Sequence, residues 1–251
     1  MSLRFENKVA VVTGAGNGIG EAYARALARE GASVVIAELD TASGQRVANA
    51  IDPTGEKSLF VKTDVSSASS AEAMVMQTIA KFGGIDHLVN NAAIYKGMKI
   101  EPLLTINWAY YERFMNVNMN GALIVTRAAY RAMLGRRGAI VNQSSAAAWM
   151  GVNLYSIPKL ALHSITQVLA RELGPRGIRV NAIAPGPVDT EATRTSIPKD
   201  YDLDAELRAM PIGRIGQVGE IAALCLFLLS DEASFLTGQV YSADGGSYMR
   251  C

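Results

Sequence analysis

Cysteine and histidine are scarce in this chain of 251 residues, with two of each. Cys225 lies in an apolar run and Cys251 ends the sequence. That is no disulfide framework; two free thiols in a reducing compartment are expected. His87 and His163 offer no zinc-ligand spacing with either cysteine, so no metal site is expected and zinc-dependent alcohol chemistry is disfavoured. An excess of one charge is also missing. The 24 Lys and Arg balance 23 Asp and Glu, for a formal net charge of +1. Such a balance leaves no footprint for nucleic acid or an anionic membrane. No run of about 18 apolar residues would make a membrane span. The opening Met-Ser-Leu-Arg-Phe-Glu-Asn-Lys lacks the apolar region of a signal peptide, so a cytoplasmic location is expected. Gly-x-Ser-x-Gly is absent, which argues against a Ser-His hydrolase. There is no fixed-period repeat and no low-complexity tract.

What is present is 49% hydrophobic sequence, enough for a sizeable core. Short β-branched runs alternate with longer helical patterns. The runs are Lys8–Thr13, Ser33–Ala37, Leu59–Lys62, His87–Asn90, Ala139–Gln143, Arg179–Ala184 and Gln239–Ala243. Several are nearly continuous Val, Ile and Ala, as in strands buried on both faces of a parallel sheet. Helical periodicity marks Ile19–Glu30, Ser70–Phe82, Tyr110–Met119, Ala122–Leu134, Tyr155–Leu173 and Gly219–Ser230. This alternation predicts an α/β, doubly wound parallel sheet with helices on both faces, in one domain over residues 1–251. The rhythm breaks at about 191–217, after Pro185-Gly186-Pro187. A long irregular stretch after a sheet strand predicts a substrate lid.

Thr13-Gly14-Ala15-Gly16-Asn17-Gly18-Ile19-Gly20 joins the first strand to the first helix. Glycines let the backbone turn tightly and approach a pyrophosphate. The helix behind them offers unpaired N–H groups and the positive end of its dipole. The spacing is Thr-Gly-x-x-x-Gly-x-Gly, neither Gly-x-Gly-x-x-Gly nor a P-loop. Glu38 ends the second strand, eighteen residues past Gly20. An acid there accepts from ribose hydroxyls and repels a 2′-phosphate, which predicts NAD over NADP. Leu39 follows it and Asn17 sits in the loop, so no basic residue stands where a phosphate would want one; Asp40 is a weaker competitor for the ribose role.

With these residues in place, the chain resembles the short-chain dehydrogenase/reductase family over essentially its full length. The resemblance is carried by Thr13-Gly14-x-x-x-Gly18-x-Gly20, Asp64-Val65, Asn90-Asn91-Ala92-Ala93, Asn118, Ser145, Tyr155-x-x-x-Lys159, Pro185-Gly186-Pro187-Val188-Asp189-Thr190 and Asp244-Gly245-Gly246. It implies a seven-stranded Rossmann-type sheet and a homotetramer or homodimer. It implies a cofactor site of Gly14, Asn17, Gly18, Ile19, Gly20, Glu38, Asp64, Val65, Asn90, Ala92, Tyr155, Lys159, Pro185, Gly186, Val188 and Thr190. Asp64 and Val65 would flank the adenine, and Thr190 the nicotinamide carboxamide. It implies a catalytic set of Asn118, Ser145, Tyr155 and Lys159. Ser145 would bond the substrate oxygen, Lys159 would also hold the nicotinamide ribose, and Asn118 would support a water chain from Lys159 to solvent. Ala93 replaces the family's usual glycine. The nine residues between Ser145 and Tyr155 are fewer than usual, which leaves Ser144 as an alternative to Ser145.

Tyr155 and Lys159 stand at i and i+4 and share a helix face. A free tyrosine titrates near pH ~10 and is a poor base at neutral pH. One positive charge ~4 Å away, at an effective dielectric of ~20, favours the tyrosinate by about 4 kcal/mol. Pro158 is tolerated if the helix starts near Tyr155, because it then lies in the first turn. Tyr95, Trp149 and Met150, with Ile197, Leu207 and Met210 of the lid, predict an apolar pocket. The expected activity is hydride transfer between NAD(H) and a small apolar secondary alcohol, diol or ketone. The alternatives are an NADPH-dependent 3-oxoacyl reductase and a non-catalytic NAD-binding regulator.

Overall fold

The computed structural model describes residues 3–196 and 203–249. Seven parallel strands form one sheet: β1 (Val9–Thr13), β2 (Ser33–Glu38), β3 (Ser58–Lys62), β4 (His87–Asn90), β5 (Ala139–Gln143), β6 (Arg179–Pro185) and β7 (Val240–Ala243). Their order is β3-β2-β1-β4-β5-β6-β7. The order reverses between β1 and β4, and a crevice opens there beyond the carboxyl ends of the strands.

Continuous apolar runs suit this sheet because both faces are covered. In β1, Ala10 and Val12 pack on one face and Val11 on the other; in β2, Val34 and Ile36 oppose Val35 and Ala37. The first face is covered by α1 (Gly18–Arg29), α2 (Thr41–Ile51) and α10 (Val218–Leu229). The second is covered by α3 (Ala68–Phe82), α5 (Gly121–Ala129) and α7 (Ser156–Leu173). The remaining helices are α4 (Trp108–Met115), α6 (Ala147–Met150), α8 (Glu191–Ser196) and α9 (Leu203–Ala209). Among the described residues no helix is long and apolar enough to cross a membrane.

The seven expected strands all form, with ends within a residue or so of the apolar runs. Three differences have physical causes. Helix α2 is not among the expected helices, and Ser43 and Gly44 give it low intrinsic propensity. It forms because the Asp40 side chain caps it at the Ser43 N–H, 2.9 Å away, and Gly44 lies against the Phe60 ring, leaving no room for a β-carbon. The helix expected over Tyr110–Met119 gives way to a π-helical turn at Asn116–Asn120. Within the expected lid, the described residues form α8 and α9, and the Val188–Gly216 backbone bridge closes its base. Ile197 and Pro198 lie outside the described residues, as does Cys251.

Candidate active site

The loop after β1 is built for close approach. Gly14 adopts φ +63°, and a β-carbon there would lie 2.7 Å from the Ala92 Cα. A β-carbon at Gly20 would collide with the Gly14 carbonyl and the Asn91 side chain. Asn91 fixes this loop to β4: its Nδ2 donates to the carbonyls of Thr13 and Gly14, each at 3.0 Å, and its N–H donates to Thr13 Oγ1. The sequence pattern contained Asn91 without giving it this role. Helix α1 then starts at Gly18 with its N–H groups toward the crevice.

A cleft of about 700 Å³ runs across the carboxyl ends of the strands. Gly14, Asn17, Gly18, Ile19 and Gly20 line it, with Glu38, Asp64, Val65 and Ala92 toward one end. Pro185, Gly186, Val188 and Thr190 line it at the other, beside Ser145, Tyr155 and Lys159. The Thr190 methyl lies over Gly18, 3.5 Å from where a β-carbon would stand. The cleft thus gathers nearly all the expected cofactor residues.

Asn90 is the exception. Its Nδ2 donates to Asn142 Oδ1 at 2.9 Å and Thr126 Oγ1 at 3.0 Å, tying β4 to β5 and α5. Asn91 and Ala92 reach the cleft instead. Asn118 also stays out of it. In the π-helical turn its Oδ1 accepts from the Ile94 N–H at 2.6 Å and its Nδ2 donates to the Ile94 carbonyl at 3.1 Å. Asn90, Asn118 and Lys159 border a separate cavity of about 10 Å³, about the room one water needs.

Glu38 accepts from the Gly16 N–H at 2.9 Å and, through its other oxygen, from the N–H groups of Leu39 and Asp40. Its carboxylate is therefore fixed beside the glycine loop at the cleft edge. Asp40 is spent on capping α2. A basic side chain not apparent from local sequence also arrives: Arg46 donates to the Gly16 carbonyl at 2.7 Å. Its charge is paired with Glu21, also at 2.7 Å, and it does not line the cleft.

The serine alternatives separate clearly. Ser144 Oγ donates to the Lys159 carbonyl at 2.9 Å and lies 2.8 Å from His163 Nε2, fully buried against α7. Ser145 faces the cleft, its Oγ accepting from the Ala147 N–H at 3.2 Å. Tyr155 immediately precedes α7, its N–H donating to Asn153 Oδ1, so Pro158 falls in the first turn as expected. Lys159 Nζ donates to the Gln143 carbonyl at 2.8 Å and lies 5.3 Å from the Tyr155 ring centroid.

The electrostatics qualify the simple charge argument. Burial pushes the Tyr155 hydroxyl above its usual range, with Tyr95 adding in the same direction. Burial lowers the Lys159 pKa to about 7. Desolvation thus opposes the charged form at both groups. Tyr155 is held protonated at neutral pH.

Among the described residues the expected apolar pocket is not met. Trp149 packs at 4.8 Å from the His163 ring and stacks on Tyr248 at 5.7 Å, away from the cleft. Met210 is buried against Gly245, and neither Met150 nor Leu207 lines the cleft. Of that set Tyr95 does, with its ring 5.3 Å from Tyr155. Around it stand Ile94, Lys96, Glu191, Ala192 and Thr193, with a 2.6 Å Lys96–Glu191 ion pair. Polar groups therefore share this wall with apolar ones.

Sheet order and cleft are of the Rossmann type. Residues 14–248 match the family model described as enoyl-(acyl carrier protein) reductase. The chain is 52% identical over 247 residues to an uncharacterized oxidoreductase of Mycobacterium tuberculosis, covering 98% of this chain and 99% of the relative. It is 38% identical over 261 residues to galactitol 2-dehydrogenase of Agrobacterium fabrum, covering 98% and 100%. A solved structure from Brucella melitensis, described as a short-chain dehydrogenase/reductase, glucose/ribitol dehydrogenase, superposes with a TM-score of 0.91 at 35% identity, covering all of both chains. The chain belongs to the short-chain dehydrogenase/reductase family, whose members bind a nicotinamide cofactor.

Proposed function

We propose that this oxidoreductase moves a hydride between NAD(H) and a secondary alcohol or diol, or the matching ketone, with Tyr155 as general acid and base. The observation that carries the proposal is convergence. Ser145, Tyr155 and Lys159 share one cleft with the glycine loop and Glu38. The nicotinamide, when bound, supplies or accepts the hydride. Ser145 donates to the substrate oxygen and orients it. In ketone reduction Tyr155 gives its proton to that oxygen; in alcohol oxidation it takes the proton back. Lys159 stabilises the tyrosinate left behind and bonds the nicotinamide ribose.

Glu38 supports NAD, because its fixed carboxylate suits ribose hydroxyls and repels a 2′-phosphate. Arg46 does not reverse this, since Glu21 holds its charge. The mixed wall around Tyr95, Lys96 and Glu191 supports a hydroxylated substrate over a purely apolar one. The Agrobacterium relative, named for a secondary position of a polyol, agrees with that.

The test is initial-rate measurement on a panel of secondary alcohols, diols and polyols with NAD⁺ and with NADP⁺. Turnover with NAD⁺ that Tyr155→Phe reduces at least a hundredfold is expected. Turnover with NADP⁺ alone would favour the NADPH-dependent 3-oxoacyl reductase. Cofactor binding with no turnover on any of the panel would favour a non-catalytic regulator.

A further inference from the structure

Gln143 ends β5, directly before Ser144 and Ser145. Side chains alternate across a strand. Asn142 turns to the α7 face, donating to Thr166 Oγ1 at 2.9 Å. Gln143 therefore turns to the α1 face, where the Tyr23 hydroxyl donates to its Oε1. Tyr23 is fully buried, and burial keeps its hydroxyl protonated, so it remains a donor. The oxygen end of the carboxamide is thus engaged and the nitrogen end is not. Gln143 Nε2 has no hydrogen-bond partner among the described residues, although the residue is 7% exposed and lines the cleft. A carboxamide nitrogen carries two donors, and unlike His87 Nδ1 and Asn90 Oδ1 this one is not sealed from the cleft. The main-chain oxygen of the same residue accepts from Lys159 Nζ.

Its place in the cleft fixes which part of a dinucleotide it can meet. Glu38 ends β2, and β2 and β5 are three strand spacings apart in the sheet. At 4.7–4.9 Å per spacing that is roughly 14 Å, beyond the reach of one side chain. Gln143 instead adjoins Ser145, Lys159, Pro185 and Gly186. We propose that Gln143 is a further cofactor-binding residue: its Nε2 donates to an oxygen of the nicotinamide–ribose half. Tyr23 is the positioning residue that holds the carboxamide in that orientation. The proposal rests on the nicotinamide-cofactor assignment of the cleft and adds a donor to it from a strand position outside the glycine loop.

The experiment is calorimetric titration of the full chain with NADH and, separately, with AMP, which lacks the nicotinamide half. Gln143→Met is expected to raise the Kd for NADH about tenfold and leave that for AMP unchanged. Tyr23→Phe frees the carboxamide and is expected to raise the NADH Kd about threefold. The double variant removes both partners, so it strands no buried hydroxyl and guards against misfolding of the single one. It is expected to match Gln143→Met, because the two residues act as one unit. Wild-type NADH affinity in Gln143→Met overturns the proposal, and so does equal weakening of NADH and AMP, which would report a distorted cleft. If the wild-type chain binds AMP but not NADH, the cofactor assignment itself fails, a result visible before any variant is compared.

Discussion

At the scale of single residues, the site is a set of competing proton and charge preferences. Tyr155 must be deprotonated to act as base, and burial raises its pKa. Alcohol oxidation should therefore rise steadily as the pH is raised from 6 to 10, while ketone reduction, which uses the protonated hydroxyl, should hold level across that range. Rates of both directions across that window check this. Lys159→Met removes a cleft donor whose charge is already partly lost at neutral pH and should lower kcat/KM a hundredfold or more while leaving the alkaline limb in place. An oxidation profile flat over the whole range would remove Tyr155 from the role of base. Glu38 is tested in binding. Its carboxylate is a charged acceptor, and hydrogen bonds to charged groups contribute about 1.5–3 kcal/mol. Glu38→Ala should weaken NADH binding tenfold or more and narrow the gap to NADPH. Equal losses for NADH and NADPH would mean that Glu38 only braces the Gly16 N–H.

At the scale of elements, the π-helical turn between α4 and α5 shows why a strand or helix is more legible than its use. Apolar periodicity placed a helix over this stretch, and nothing in it signals one extra residue in the turn. The turn is specified by a tertiary contact, Asn118 pairing with both backbone groups of Ile94, twenty-four residues away. Turns of this kind recur at functional sites. Asn118→Leu strands the Ile94 N–H and carbonyl and should destabilise the fold by about 2 kcal/mol. For a chain of this size that lowers Tm by roughly 4–8 °C, which differential scanning calorimetry would read. An unchanged Tm would mean that the turn holds itself. The same distinction separates the other outcomes. The glycine loop, Glu38 and the Tyr155–Lys159 spacing were legible because local sequence sets them. The direction of the Asn90 side chain, the packing of Trp149 on Tyr248 and the arrival of Arg46 at Gly16 depend on residues distant in sequence. The capped helix α2 was hidden because its low intrinsic propensity is offset by Asp40 and by packing on Phe60.

At the scale of the whole molecule, the sheet separates function from stability. The cleft lies at the carboxyl ends of the strands; the amino ends are closed by the N-terminal segment. There Phe5 is fully buried and meets the His87 ring edge-on, with centroids 5.2 Å apart. His87 opens β4, and its Nδ1 has no partner among the described residues. Burial lowers its pKa to about 4, with Lys8 and Arg179 adding in the same direction and Asp86 and Asp231 opposing. The unfolded chain takes up a proton here near pH 6.5, whereas the folded chain does so only near pH 4. Between those values the unfolded state binds more protons, so stability falls as the pH falls. At 1.36 kcal/mol per pKa unit, a drop of roughly 2–3 kcal/mol is expected from pH 6.5 to 4.5. The carboxylates of Glu21 and Glu220, whose pKa values are lowered, add their losses only below about 4.5. His87→Gln cannot be protonated and should flatten the slope in this window while leaving the cleft untouched. Urea unfolding of the two proteins at pH 6.5, 5.5 and 4.5 gives the comparison. Parallel slopes would place the acid sensitivity elsewhere; a slope lost with His87 would locate it at the end of the sheet opposite the cleft.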